Sequence, residues 1–155
     1  MKKLIVVAAA IVLVANGFAH AEDEFFSKVK LADAKGKQAD ATLVFSDSTK
    51  SLVIRMADRD LVSVPYGNLD KFSYEYTKKH RITSGAVVMV FSLGAGAVVM
   101  LTKSKSNWLY IDYRDHNIPK SVVLKLGKKD VRPIFAAVKT HTGKEVIDLG
   151  NAGKG

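Results

Sequence analysis

The spacing of apolar residues takes three forms along the chain. Leu4 to Val14 is an unbroken apolar run of eleven residues. From about residue 27 to 126, most apolar residues come in short runs, several of them alternating with polar ones and separated by turn-forming clusters. From Val131 onward the spacing becomes helical. The middle region predicts strands. Ser27–Leu31 and Ala41–Phe45 are the first two, with the polar stretch Ala34–Asp40 turning between them around Gly36. Ser46-Asp47-Ser48-Thr49-Lys50 is a second turn cluster. Ser51–Met56 alternates, with Leu52, Ile54 and Met56 on one face and Arg55 on the other. Ala57–Asp60 turns again, and Leu61, Val62 and Val64 form a strand that Pro65 closes. In Asp70–Thr77, Phe72, Tyr74 and Tyr76 share a face while Ser73 and Glu75 face away. Trp108–Tyr113 and Ser121–Leu126 are two more strands, joined through Arg114–Pro119. Strands at such regular spacing predict a sandwich or barrel.

Near the carboxyl end, Val131, Ile134, Phe135 and Val138 follow the i, i+3, i+4, i+7 rule of an amphipathic helix. Pro133 fits only a first turn. Lys139 and His141 fall in the last turn, where cations meet the negative end of the helix dipole. Gly143 is a natural residue to follow the helix end. These signals predict a helix over 130–142, packed by its apolar stripe onto the strands. The glycine-rich stretch 148–155 predicts a frayed tail.

The amino terminus has a different purpose. Lys2 and Lys3 precede the apolar run, Asn16 and Gly17 break it, and Ala19-His20-Ala21 supplies small residues at the −3 and −1 positions of a cleavage site. These parts predict a secretory signal, with the mature chain expected to begin at Glu22. As a helix the run would be about 16 Å long, short of the roughly 30 Å of a bilayer core, which disfavours an uncleaved anchor. Lys2 and Lys3 are the only charges in 1–21, so cleavage lowers the net charge from +9 to +7. A basic exported chain favours anionic partners such as phospholipid head groups or acidic polymers, and export argues against nucleic acid. With no cysteine the chain has no disulfide, no thiol chemistry and no lipid-modified cysteine.

Roughly seven strands followed by an amphipathic helix is the element order of a pleckstrin-homology-like barrel. Three motifs carry a closer likeness: Val64-Pro65-Tyr66 leading to Leu69, Trp108-Leu109-Tyr110-Ile111-Asp112-Tyr113, and Thr142-Gly143-Lys144-Glu145-Val146. Over about 41–147 the chain resembles a group of small, mostly uncharacterised exported bacterial proteins. That resemblance implies a fold and a compartment, periplasm or cell envelope, and carries no catalytic residue.

One segment interrupts the strand pattern. Ile82 to Leu101 contains no charge, and Gly85-Ala86-Val87-Val88-Met89 returns eleven residues later as Gly96-Ala97-Val98-Val99-Met100. Lys78, Lys79, His80 and Arg81 flank it on one side and Lys103 and Lys105 on the other. Trp108 follows, where an interfacial aromatic would sit. Three readings stay open: a single membrane span, a hairpin turning at Gly94-Ala95-Gly96 that enters or rests on a membrane, and burial within the protein or between subunits. An apolar stretch of this size calls for some partner. Val87, Val88, Phe91, Val98 and Val99 are the apolar contact candidates. Lys78, Lys79, Arg81, Lys103 and Lys105 are the candidates for anionic head groups.

Catalytic patterns are missing from the sequence. His80, His116 and His141 are isolated, with no His pair at zinc-protease spacing. Asp58 and Asp60 flank Arg59 without a calcium-loop pattern. Gly94-Ala95-Gly96 lacks the third glycine of a dinucleotide loop, and Gly143-Lys144 lacks the Ser or Thr of a phosphate loop. No Gly-x-Ser-x-Gly elbow occurs. Tyr74, Tyr76, Trp108, Tyr110 and Tyr113 admit two readings, a basic-rimmed aromatic platform or cross-strand packing. The chain is therefore expected to be a non-enzymatic, membrane-associated binding or scaffold module without cofactor or metal. The alternative is a soluble periplasmic protein that self-assembles through 82–101 into a homo-oligomer.

Overall fold

The computed structural model describes residues 22–33, 37–78, 87–88, 98–99 and 105–150. The elements run β1 (Glu24–Ala32), β2 (Lys37–Ser46), β3 (Ser51–Met56), β4 (Arg59–Pro65), a 3-10 turn (Tyr66–Asn68), β5 (Leu69–Thr77), β6 (Val87–Val88), β7 (Val98–Val99), β8 (Ser106–Asp115), β9 (Ile118–Leu126), α1 (Val131–Thr142) and β10 (Val146–Asp148). The protein is mainly β. Its strands form one mixed sheet in the order β10-β5-β8-β9-β1-β2-β3-β4, with β6 beside β9 and β7 beside β2. Among the described strands nothing pairs β4 with β10, so the path is an open mixed sheet, where an antiparallel barrel or sandwich was expected.

Turn chemistry explains where the observed strands outrun the predicted ones. Met56 pairs with Arg59 and Asp115 with Ile118, leaving two-residue turns at Ala57-Asp58 and His116-Asn117. His116 and Asn117 both have positive φ, at 49° and 65°, the combination whose twist suits a tight hairpin. Such a turn is usually announced by Asn-Gly, so the sequence suggested a longer connection at 114–119. Lys37–Asp40, read as turn, is the start of β2 and pairs with β1 from Gln38 onward.

Alternation sends the central strands' side chains to two sides. On one, Leu109, Ile111, Tyr113, Val122, Leu124, Val29 and Leu31 join Phe45, Ile54 and Phe72 in the main core. Helix α1 covers it with Ile134, Ala137 and Val138. Each large apolar side chain so buried contributes about 1.5–3 kcal/mol. On the other side, Ala32, Trp108, Tyr110 and Val123 form a second buried cluster against Leu149. The helix ends as its sequence requires: Gly143 takes φ 71° and its N–H donates to Lys139 O at 3.0 Å.

One expectation is corrected, and one of the three open readings of 82–101 is excluded. Asp148 is not tail: β10 lies parallel to β5, Asp148 opposite Tyr74, and Leu149 N–H donates to Tyr74 O at 2.8 Å. Residues 151–155 lie outside the described residues. The single-span reading of 82–101 also fails. β5 and β8 pair from Leu69↔Tyr113 to Thr77↔Ser106, so both ends of the intervening segment emerge side by side. One crossing would have separated those strands by a membrane.

Candidate functional site

The described pieces of the apolar segment are tied to the sheet. Val87–Val88 runs parallel to Lys120–Ser121 of β9, and Val98–Val99 runs antiparallel to Lys37–Gln38 of β2. These backbone pairings favour packing on the protein over projection from it. Lys79, Arg81, Phe91 and Lys103 lie outside the described residues. Lys78 is exposed just beyond β5. Trp108 requires correction: it is 1 % exposed, and its indole N–H donates to Thr77 O at 3.0 Å. Its place in β8 turns it into the second buried cluster, away from any interface with water.

The aromatic platform likewise divides. Trp108 and Tyr110 belong to the second cluster and Tyr113 to the main core. Burial, with Asp115 nearby, raises the Tyr113 hydroxyl to about 12. Tyr74 and Tyr76 stay together on the helix side of β5. Tyr74 meets Phe135 of α1 edge-on at 5.2 Å and donates to Asn107 Oδ1 at 2.7 Å. Burial first, then the charge of Asp148 and the neighbouring Tyr76, raises its pKa.

These tyrosines open onto a cleft of about 960 Å³ at one end of the sheet. Lys105 and Asn107 enter it from the start of β8, and Asp148 and Gly150 from the end of β10. Lys128, Lys129 and Arg132 enter it from the β9–α1 connection and the first turn of α1. The connection is a tight turn, with Asp130 N–H donating to Gly127 O at 2.9 Å, and it delivers both lysines to the surface. Asp130 stands at the helix start, but its side chain makes no capping hydrogen bond, and the first turn holds no acid. The Asp130 carboxylate lies back over Gly127, 3.0 Å from where a Cβ on that glycine would stand. The N–H groups of the first turn are thus left without a side-chain cap, with the Asp130 carboxylate nearby.

What marks this region is the convergence of four cations on one cleft; outside it, several cations are held in ion pairs. Lys30 pairs with Asp40, Arg55 with Asp60, Lys71 with Asp112, Arg114 with Asp70, Lys120 with Asp115 and Lys139 with Glu145. Among the described residues, Lys128, Lys129 and Arg132 have no ion-pair partner. Lys105 has, among the described residues, the face of the Tyr76 ring, 5.8 Å from its ammonium. No protein-family model and no curated protein matches the chain. The site is thus read from its own chemistry. Four cations facing Asp148 as the one acid in the lining leave a positive excess that suits an anion. The Asn107 amide nitrogen and the Tyr76 hydroxyl can add donors, while the Tyr74 hydroxyl is spent on Asn107 Oδ1.

The sequence pointed to Lys105, Tyr74 and Tyr76 but not to the three cations that complete the cleft. Lys128-Lys129-Asp130-Val131-Arg132 holds three cations and one acid at a strand–helix junction. That clustering was the available signal. Among the described residues no His, Asp, Glu group is arranged to hold a metal ion. No helix among them is long and apolar enough to cross a membrane.

Proposed function

We propose that this protein is an exported, non-enzymatic binding module of the cell envelope that takes anionic phospholipid head groups in its basic cleft. The reading rests chiefly on one observation: among the described residues, Lys128, Lys129 and Arg132 converge beside Lys105 on one cleft without carboxylate partners. A signal-like amino terminus and a net charge of +9 before cleavage support export and an anionic partner. A series of long antiparallel strands followed by one carboxyl-terminal helix supports a pleckstrin-homology-like plan. Membrane contact is assigned to the cleft, because Val87–Val88 and Val98–Val99 are hydrogen-bonded into the sheet.

The test is flotation of purified protein with phosphatidylcholine vesicles, with and without phosphatidylglycerol. Binding should require the anionic lipid and weaken as salt rises. Equal flotation with both vesicles would point to insertion of apolar residues instead, and no flotation with either would remove the membrane from the account.

A further inference from the structure

At the opposite end of α1 from the cleft, three segments distant in sequence meet around one imidazole. The His141 side chain is 7 % exposed. Its Nε2 is 2.9 Å from Glu24 Oε2, a contact spanning 117 residues of chain, and its Nδ1 is 2.9 Å from Asp47 Oδ2. The ring stacks on Phe45 at 5.3 Å and 16°. A neutral imidazole has one N–H and one lone pair, whereas the imidazolium donates from both nitrogens. With a carboxylate against each nitrogen, the neutral ring would turn a lone pair toward one of them. Only the cation satisfies both. The Nδ1 contact is an ion pair more than an aligned hydrogen bond, since no acceptor meets hydrogen-bonding geometry at that atom.

The other polar groups around it reinforce the arrangement. Tyr66 donates its hydroxyl to Asp47 Oδ1 at 3.2 Å. Asp23 accepts from Ser46 at 3.1 Å and Ser48 at 3.4 Å. Lys50 acts on Asp47 through space. On the helix itself, Lys139 is drawn off to Glu145 at 2.8 Å.

We propose that protonated His141 is a lock fastening the end of α1 to the start of β1 and to the β2–β3 turn, and that the lock opens on the alkaline side. Burial disfavours the charged ring, but Asp47 and Glu24 outweigh it, and the His141 pKa lies above its ordinary 6.5. The lock's stability is therefore full below 6.5 and is lost as pH rises through the folded value. On the acid side, burial opposes ionisation of Asp47, yet His141, Tyr66 and Lys50 hold its pKa below 3.8. That contribution is present above 3.8 and is lost only as pH falls through the lowered value. The lock thus spans acid to neutral conditions.

The experiment is an NMR titration of the imidazole nitrogens in purified protein, beside thermal unfolding of wild type and His141→Gln across pH. Both ring nitrogens should carry protons at pH 6.5, with a midpoint above 6.5. The stability margin of wild type over His141→Gln should shrink as pH passes that midpoint. Asp47→Asn keeps the ring, removes one carboxylate, and should lower the midpoint; it also decides the matter if His141→Gln fails to fold. A midpoint at or below 6.5, one unmoved in Asp47→Asn, or a pH-independent margin would overturn the lock.

Discussion

Replacing Lys128, Lys129 and Arg132 together by alanine removes three of the four cations that line the cleft. Each basic residue close to an anionic membrane contributes about 1 kcal/mol of attraction. Three such residues give about 3 kcal/mol, or roughly a 150-fold loss in partitioning. Because no carboxylate loses a partner, the fold should be nearly untouched, with each surface change staying within about 0.5 kcal/mol. A comparison triple of Lys30, Arg55 and Arg114, each ion-paired, changes the net charge by the same three units. Asp70, the partner of Arg114, lies six residues from Tyr76 along β5, about 20 Å and beyond a Debye length of about 10 Å. Vesicle flotation at physiological salt separates local from global charge. The cleft triple should lose far more binding than the comparison triple. Equal losses would mean that total charge, not the cleft, attracts the ligand, and the argument from unpaired cations would fail.

Packing and backbone geometry give further expectations. Trp108→Phe leaves Thr77 O without its indole donor and should cost about 1–3 kcal/mol in urea unfolding followed by circular dichroism; a cost near zero would contradict the buried bond. Trp108 is the one tryptophan, so the emission of the wild-type protein should be blue-shifted and move red on unfolding. Ile134→Ala, at a fully buried position of α1, should destabilise by about 2–5 kcal/mol, and a cost well under 1 kcal/mol would mean that the helix is not docked. Gly143→Ala forces a side chain to φ 71° and should cost about 1 kcal/mol in the same assay.

Periodicity made most of the strands and the helix legible. Val131, Ile134, Phe135 and Val138 announced α1 because only a 3.6-residue repeat brings those four to one face. Phe72, Tyr74 and Tyr76 do share the helix side of the sheet. Ser73 and Glu75 face away as expected, yet both are buried, because β5 meets packed groups on each side. Trp108 shows why alternation alone misleads: β8 is buried on both faces, and no period-2 pattern tells which face meets water. Nor does a period reveal that, among the described strands, β4 and β10 do not pair, since pairing partners are a property of the whole chain.

The cleft was less legible than the fold. Lys105 drew notice as a flank of the apolar segment. Its neighbours Lys128 and Arg132 arrive from a different part of the chain, and only the docking of α1 brings them near. His141 was read as a favourable charge at a helix end, which accounts for its position but not for Asp47 and Glu24. Those two acids come from β1 and the β2–β3 turn, and tertiary structure alone could join them.

The most direct measurement is backbone NMR of the labelled protein titrated with short-chain phosphatidylglycerol below its micelle concentration. Shifts should gather at Tyr74–Tyr76, Lys105–Asn107 and Lys128–Arg132, and leave Lys30, Arg55 and Arg114 still. Shifts scattered over those ion-paired residues, or none at saturating lipid, would contradict the cleft as the binding site.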